Sequence, residues 1–319
     1  MQLLHSATRN YSWGSRTLIP HLQGQPDADK PVAELWFGAH PGDPSTVDGR
    51  LLNEVIAEDP AGQLGSRVSA EYGERLPFLL KVLAAEEPLS LQAHPSKAQA
   101  EEGFARENAA GIELTASNRN YKDDNHKPEL IVALTDFYAM AGFRPLARTR
   151  ELFAALECPE LDHYVAMLDD DPSATTESAN LRVLFTTWIT IPAAKRKELI
   201  SAIVAAGERL IAADPADWKS RVMSTVLELN QRYPGDIGVL GALLLNHIEL
   251  SPGEAVYLDA GQLHAYVSGL GVEIMANSDN VLRGGLTPKF VDVPELVKVL
   301  TYAAADEPRV QQQDKSAQD

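Results

Sequence analysis

NHIELSPGEAVYLDAGQLHAYVSGLGVEIMANSDNVLRGG, residues 246–285, alternates apolar and polar residues between turn signals at Pro252-Gly253, Ala260-Gly261 and Gly269 to Gly271. A period of two sends successive side chains to opposite faces of a sheet, so this stretch reads as a run of strands. The same style governs residues 1–145, where Gly and Pro interrupt short apolar runs, as in AELWFGAHPGDPS (33–45) and LPFLLKVLAAEEPLSLQAHPS (76–96). Between the two the pattern changes. From Phe143 to Ala206 there is no glycine, and apolar residues recur at three and four, the spacing of amphipathic helices.

Within that region KRKELISAIVAAGERLIAA (195–213) carries the stripe Leu199, Ile203, Ala206 and Leu210. A second helix is expected after Asp214 as N-cap, with Pro215 in the first position and the stripe Trp218, Val222, Val226, Leu229 and Tyr233. Pro234 to Gly238 is expected to close the helical region. Strands, then helices, then strands read as an all-α insertion in one β domain, two β domains being the alternative arrangement. The boundaries are 1–145 and 237–305 for the β domain, 146–236 for the insertion, and 306–319 for a polar, disordered tail.

The chain has 319 residues, 28 basic against 45 acidic, and a net charge of −17, which disfavours nucleic acid and anionic membranes as partners. At 45% hydrophobic and 23% charged, the composition is that of an ordinary globular chain. The one cysteine, Cys158, can form no internal disulfide, and the N-terminal residues lack a signal-peptide pattern. A cytoplasmic location is expected.

Four stretches carry candidate chemistry. In LSLQAHPS (89–96), Gln92 and His94 are two apart and share a sheet face; alone, such a pair is an ordinary polar strand face. In NYKDDNHKPELIVAL (120–134), Glu129 is the last acidic group before an apolar strand, so its carboxylate needs a partner, either a metal or Lys127 or an Arg. His264 follows a glycine turn in AGQLHAYVSG. Together Gln92, His94, Glu129 and His264 could hold zinc with a coordination position left open, or non-haem iron by the two-His, one-carboxylate part. In EIMANSDNVLRGGLTPKF (273–290), Asp279, Arg283 and Lys289 lie in a glycine-rich stretch where Arg and Lys could bind a phosphate.

As a set, NYSWGS (10–15), AELWFGAHPGDPS, LPFLLKVLAAEEPLSLQAHPS, NYKDDNHKPEL and VEIMANSDNVLRGGLTPKFVDVPEL (272–296) resemble the class I phosphomannose isomerases. The resemblance runs from residue 1 to about 300 and is loosest in the helical region. It implies a mostly β, cupin-like (jelly-roll) sandwich with an inserted helical domain and one Zn2+ per chain on Gln92, His94, Glu129 and His264. It further implies Arg283 as the active-site arginine, and a pocket that includes Lys81, Ser90, His126, Lys127, Glu273, Asp279 and Lys289. Of these, Lys81, Ser90 and Lys289 are expected on the substrate, and His126, Lys127, Asp279 or Glu273 as proton carrier. The implied reaction interconverts mannose 6-phosphate and fructose 6-phosphate through an enediol. The implied partner is a small phosphosugar, in a monomeric enzyme of mannose metabolism that feeds GDP-mannose biosynthesis. Relatives continue past PELVKVL into a further β domain, whereas this sequence stops at Asp319. The alternatives are a sugar-phosphate-binding cupin without turnover and a cupin-type iron oxygenase.

Overall fold

The computed structural model describes residues 2–169, 171, 173–305 and 308–310. The expected polar tail falls mostly outside them. Thirteen strands are described: β1 Leu4–His5, β2 Ala7–Arg9, β3 Glu34–Phe37, β4 Thr46–Val47, β5 Arg50–Leu51, β6 Phe78–Ala85, β7 Leu91–Ala93, β8 Glu129–Ala133, β9 Phe137–Phe143, β10 Leu245–Leu250, β11 Ala255–Leu258, β12 His264–Ala276 and β13 Leu282–Gly285. The helices are α1 Leu18–Leu22, α2 Leu52–Glu58, α3 Pro60–Leu64, α4 Ser66–Tyr72, α5 Lys97–Ala109, α6 Leu146–Leu156, α7 Pro159–Val165, α8 Ala174–Ile189, α9 Ala193–Ala213, α10 Trp218–Arg232, α11 Ile237–Ala242 and α12 Val293–Val299.

The antiparallel strand β12 organises the sandwich. Its first half, His264 to Ser268, pairs with β9, and His264 also faces Gln92 of β7. Its second half pairs with β6 on one side and β8 on the other, from Gly269 or Gly271 to Met275 and Ala276. The strand therefore belongs to both faces, and it bends where Gly269 adopts φ +123, a backbone setting that disfavours side chains. Space there is closed too: a Cβ would come 2.7 Å from the Asp136 carbonyl oxygen and 2.8 Å from Phe137 Cα.

The strand-helix-strand order of the sequence holds, with α6 to α11 between β9 and β10. Three local expectations are corrected. Asp217, not Asp214, caps α10, accepting from the Lys219 amide, while Asp214 ends α9. Pro215 therefore lies in the connection, where its missing N–H costs no helical hydrogen bond. Pro234 to Gly238 does not end the helices, because Asp236 caps α11 through the Gly238 amide. The first 145 residues also hold five helices; α5, 13 residues long, has too few large apolar residues for a visible stripe. It is set by a capping box of Ser96 and Gln99, and Gly103 lets the Tyr121 ring lie where a Cβ would sit.

The inward faces of the strands form one buried cluster that includes Leu83, Ile131, Phe137, Ile248, Val256 and Tyr266. The helical segment does not have a core apart from the sheet: Leu91, Met140 and Phe143 of the strands are continuous with Leu152, Trp188, Ile203 and Val226. That continuity anchors the helices to the face carrying β7 and β9.

Gly269→Ala is expected to lower the unfolding free energy by about 2–4 kcal/mol, combining an unfavourable φ with backbone overlap. Gly49→Ala, also at positive φ (+77) but with open space around the added carbon, should cost about 1 kcal/mol. Urea midpoints of the two variants check the difference.

Candidate metal centre and substrate cavity

Register brings the candidate ligands together from separate parts of the chain. On β7, Gln92 has His264 of β12 as its neighbour on one side and Arg283 of β13 on the other. Glu129 opens β8 opposite Met275. His94 follows β7 two residues beyond Gln92, so it projects to the same side.

His94, Glu129 and His264 are each at most 2% exposed, and one donor atom from each lies within 4.8 Å of the others. The Nε2 atoms of both histidines stand 3.4 Å from the Glu129 oxygens. Among the described residues, His94 Nε2 and Glu129 Oε2 have no hydrogen-bond partner. The other ring nitrogens are committed: His94 Nδ1 lies 2.8 Å from the Asn280 carbonyl oxygen and His264 Nδ1 lies 2.9 Å from that of Gln262. As Nδ1–H donors to carbonyls, both rings leave an Nε2 lone pair free, the tautomer that a metal requires. The Gln92 amide nitrogen lies 3.5 Å from His264 Nε2, which puts this side chain beside the cluster as the candidate fourth ligand. Two buried imidazoles and a buried carboxylate, with orphaned lone pairs on His94 Nε2 and Glu129 Oε2 and the half-buried Gln92 amide beside them, fit a divalent cation of zinc's type.

Lys127 also belongs here, with Nζ 3.0 Å from Glu129 Oε1, so the salt bridge and the metal cluster use the same carboxylate. Burial pushes the Glu129 carboxyl upward, but Lys127 and His94 outweigh it and hold it well below the ordinary range. Burial and the Lys127 charge push His94 down to about 4.

Gln92, Lys127 and Glu129 line a cavity of about 500 Å³, a size suited to a small ligand. One wall is a second ionic network. Lys81 Nζ lies 3.0 Å from Glu273 Oε2 and 3.6 Å from Glu34 Oε1, and Tyr266 donates to Glu273 Oε1 at 2.7 Å. Trp36 donates its ring N–H to Glu34 and lies beneath the Lys81 ammonium. Burial lowers the Lys81 pKa, yet Glu273, Glu34 and Glu129 together raise it above the usual lysine value. Burial lifts the Glu273 carboxyl and, with Glu273, the Tyr266 phenol.

Facing this network, Arg283, Lys289, Ser90 and Asp279 line the same cavity. Burial lowers the Arg283 pKa, and burial with the nearby Arg283 charge lowers that of Lys289. Asp279 Oδ1 lies 3.4 Å from Nε2 of the buried His40, whose Nδ1 accepts from the Gly42 amide. Burial would raise the Asp279 carboxyl, but His40 holds it below the usual value.

Of the twelve candidate residues, nine line the cavity; His94 and His264 stand immediately behind it, joined through Glu129. His126 is the exception: it is half-buried and is not among the residues that line the space. Sequence reasoning missed Glu34, Trp36, His40, Lys122 and Tyr266. Tyr266, two residues after His264 on one strand, carried a period-two signal; Glu34 and Trp36 carried none without the register of β3 against β6, and His40 and Lys122 lie outside the strands.

A two-layered antiparallel sandwich with a buried His-Glu-His centre opening on a polar cavity defines a cupin-like metalloenzyme. The comparisons then specify it. Residues 1–146 match the family description "Phosphomannose isomerase type I, catalytic domain". The chain is 41% identical over 312 residues to mannose-6-phosphate isomerase of Escherichia coli (strain K12), covering 95% of this chain and 75% of that protein. Identity to the Homo sapiens protein of the same name is 37% over 322 residues, covering 94% and 72%. A crystal structure of mannose 6-phosphate isomerase bound with zinc and yttrium superposes with a TM-score of 0.86 at 38% identity, over 99% of this chain and 79% of that one. The apo form from Salmonella typhimurium gives 0.87 at 38%, over 99% and 78%. This chain belongs to the type I phosphomannose isomerase family. Among the described residues, no helix is long and apolar enough to cross a membrane.

A pH dependence follows from the buried imidazoles. His247 is also pushed down to about 4, by burial and by Arg144 against a hydrogen bond to the Ala242 carbonyl. Between about pH 6.5 and about pH 4 the unfolded chain protonates both His94 and His247 while the fold resists. The metal-free protein should therefore lose stability as pH falls through that window, by up to about 3 kcal/mol per histidine. Urea titrations at pH 7 and pH 5 check it; equal midpoints would exclude the effect.

Proposed function

We propose that this chain is a zinc-dependent aldose-ketose isomerase that interconverts mannose 6-phosphate and fructose 6-phosphate through an enediol intermediate. The observation that carries the reading is the pairing of a buried His94-Glu129-His264 centre with Arg283 and Lys289 in one cavity. Family membership supports it, as do the zinc-bound relatives.

Gln92, His94, Glu129 and His264 would hold the zinc. When bound, the metal supplies a Lewis acid against the negative charge that develops on the sugar oxygens as the C–H bond breaks. Everything else falls to side chains. Arg283, with its fork of N–H donors, binds oxygens of the substrate, and Lys289 and Ser90 contact the phosphate. Lys81 is fixed between Glu273 and Glu34 and presents its charge to the sugar side of the cavity. The proton moved between C2 and C1 is assigned to Asp279. Both Glu273 oxygens are engaged, by Lys81 and Tyr266, and Lys127 Nζ is engaged by Glu129. Asp279 rests one oxygen near His40 and is far more exposed than Glu273, so its other oxygen can reach a bound sugar. Trp36, Leu79 and Leu83 give the cavity apolar wall that limits water around the developing charge.

The same reading treats residues 1–145 and 237–305 as the catalytic unit and 146–236 as an insertion, since among the described residues only Tyr233 of the insertion lines the cavity.

A coupled assay for fructose 6-phosphate, run with mannose 6-phosphate and with glucose 6-phosphate on zinc-loaded protein, tests the reaction. Turnover of the mannose compound, lost on chelation and restored by zinc, is the expected result; full activity in verified metal-free protein would overturn the zinc requirement. Arg283→Ala should lower kcat/KM at least about 100-fold with an unchanged melting temperature. Asp279→Asn should abolish solvent deuterium incorporation at C2 while zinc content stays at one per chain. Retained incorporation would remove Asp279 as proton carrier.

A further inference from the structure

A second cavity, of about 930 Å³, lies away from the metal centre, where α6 and α10 meet the outer strand β10. In a chain of net charge −17 its lining is locally basic: Arg144, Arg148, Arg221 and Arg309, against the single carboxylate Glu249. Arg309 is engaged, with Glu254 at 2.8 Å and the Glu249 carbonyl. The other three guanidiniums have no carboxylate in ion-pair contact among the described residues. Asp217 pairs its carboxylate with Lys219 at 2.7 Å and feels Arg221 only at longer range.

Arg144 is the telling residue. It is 3% exposed, and its Nη atoms donate to the Leu243 and Leu245 carbonyls, while its Nε has no hydrogen-bond partner among the described residues. Desolvating a guanidinium without a counter-charge is costly, and burial, reinforced by Arg148, brings its pKa down to about 10. The Trp218 ring collects these charges: Arg148 lies 4.4 Å and Arg144 5.4 Å from its centre. Lys219 Nζ also lies 5.5 Å from the ring, but it is paired with Asp217, so the two guanidiniums are the cations over this indole without a carboxylate in ion-pair contact among the described residues, an arrangement that a bound anion relieves. Arg221 Nη1 donates to the Ala216 carbonyl at 2.7 Å, which holds that side chain close to the start of α10.

We propose that this cavity is a second, non-catalytic binding site for a small phosphate-bearing anion, gripped by Arg144, Arg148 and Arg221. Orthophosphate, pyrophosphate and a sugar phosphate share the required chemistry, several acceptor oxygens on a compact multiple charge. Pyrophosphate fits the three-guanidinium lining best, because its two phosphate groups can be met by different arginines. Through α10 the site adjoins Tyr233, which follows that helix and lines the first cavity. An occupant therefore contacts the same helix that reaches the proposed active site.

The test is calorimetric titration of the zinc-loaded, full-length protein with pyrophosphate, and separately with orthophosphate and mannose 6-phosphate, each against four forms: wild type, Arg283→Ala, Arg148→Ala/Arg221→Ala, and Trp218→Phe. Arg148 and Arg221 are exposed, so their removal leaves the core intact, and circular dichroism verifies it. The expected result is a pyrophosphate event that survives Arg283→Ala and weakens at least tenfold in the double arginine variant. It should be accompanied in wild type by a change in tryptophan fluorescence that Trp218→Phe removes. Basal isomerase activity of the double variant should match wild type. No pyrophosphate event, or one abolished by Arg283→Ala and untouched by the double variant, would overturn the proposal. Whichever of the three anions binds most tightly identifies the source of the phosphate group.

Discussion

Glu129 is a carboxylate that the fold has almost entirely removed from water, and the geometry of the site depends on how that charge is met. It lies at the first position of a strand whose later residues, Ile131 and Ala133, are buried core, so it cannot retreat to solvent. His94 and His264 converge on it from two other parts of the chain, and Lys127 pairs with it from two residues upstream. An isolated carboxylate there would be neutral or would unfold its surroundings. With a cation, a pair of imidazoles and orphaned lone pairs, the same position becomes a metal site. The second network, Lys81 between Glu273 and Glu34, repeats the principle on the opposite wall with no metal-type orphan atoms among its members.

Both networks hang on β12. Its first residue is a proposed ligand, its third is the tyrosine that holds Glu273, and Glu273 itself is its tenth. A strand of ordinary length would reach one network only. Thirteen residues with a glycine bend at 269 let a single element serve both faces of the sandwich, which is why the bend admits no side chain. The negative total charge of the chain matters little to an anionic ligand under these conditions, because Arg283, Lys289 and Lys81 act at short range within partly desolvated walls.

Much of this could be read before any coordinates. Gln92 and His94 share a face because they are two apart, and Glu129 had to find a partner because LIVAL follows it. The change of period near Phe143 located the helices, since helical stripes of large apolar residues are a long and redundant signal. Short and sparsely apolar helices were lost for the opposite reason: α5 is held by a cap and by one glycine against Tyr121, neither of which makes a periodic pattern. The cap of α10 was misplaced by three residues because Asp214 and Asp217 are chemically equivalent, and only the end of α9 at Ala213 decides between them. His126 was grouped with its neighbours by sequence proximity, yet the chain between Asp123 and Lys127 turns it away from the cavity lining, with Asp123 and Asn125 bound instead to Asn277, Ser278 and Asn280.

The sequence by itself determined the kinds of group available, their family, and the strand-helix-strand order, because these depend on residue type and on period along the chain. Tertiary structure decided which groups meet. Cross-strand register set His264 and Arg283 on either side of Gln92, and Glu273 and Trp36 on either side of Lys81, across separations of up to 192 residues. It also gathered Arg144, Arg148 and Arg221 around Trp218, a basic cavity with no motif to announce it. Ionic and metal-binding chemistry acts over a few ångströms between atoms, and a linear pattern encodes such distances only within a single helix or strand.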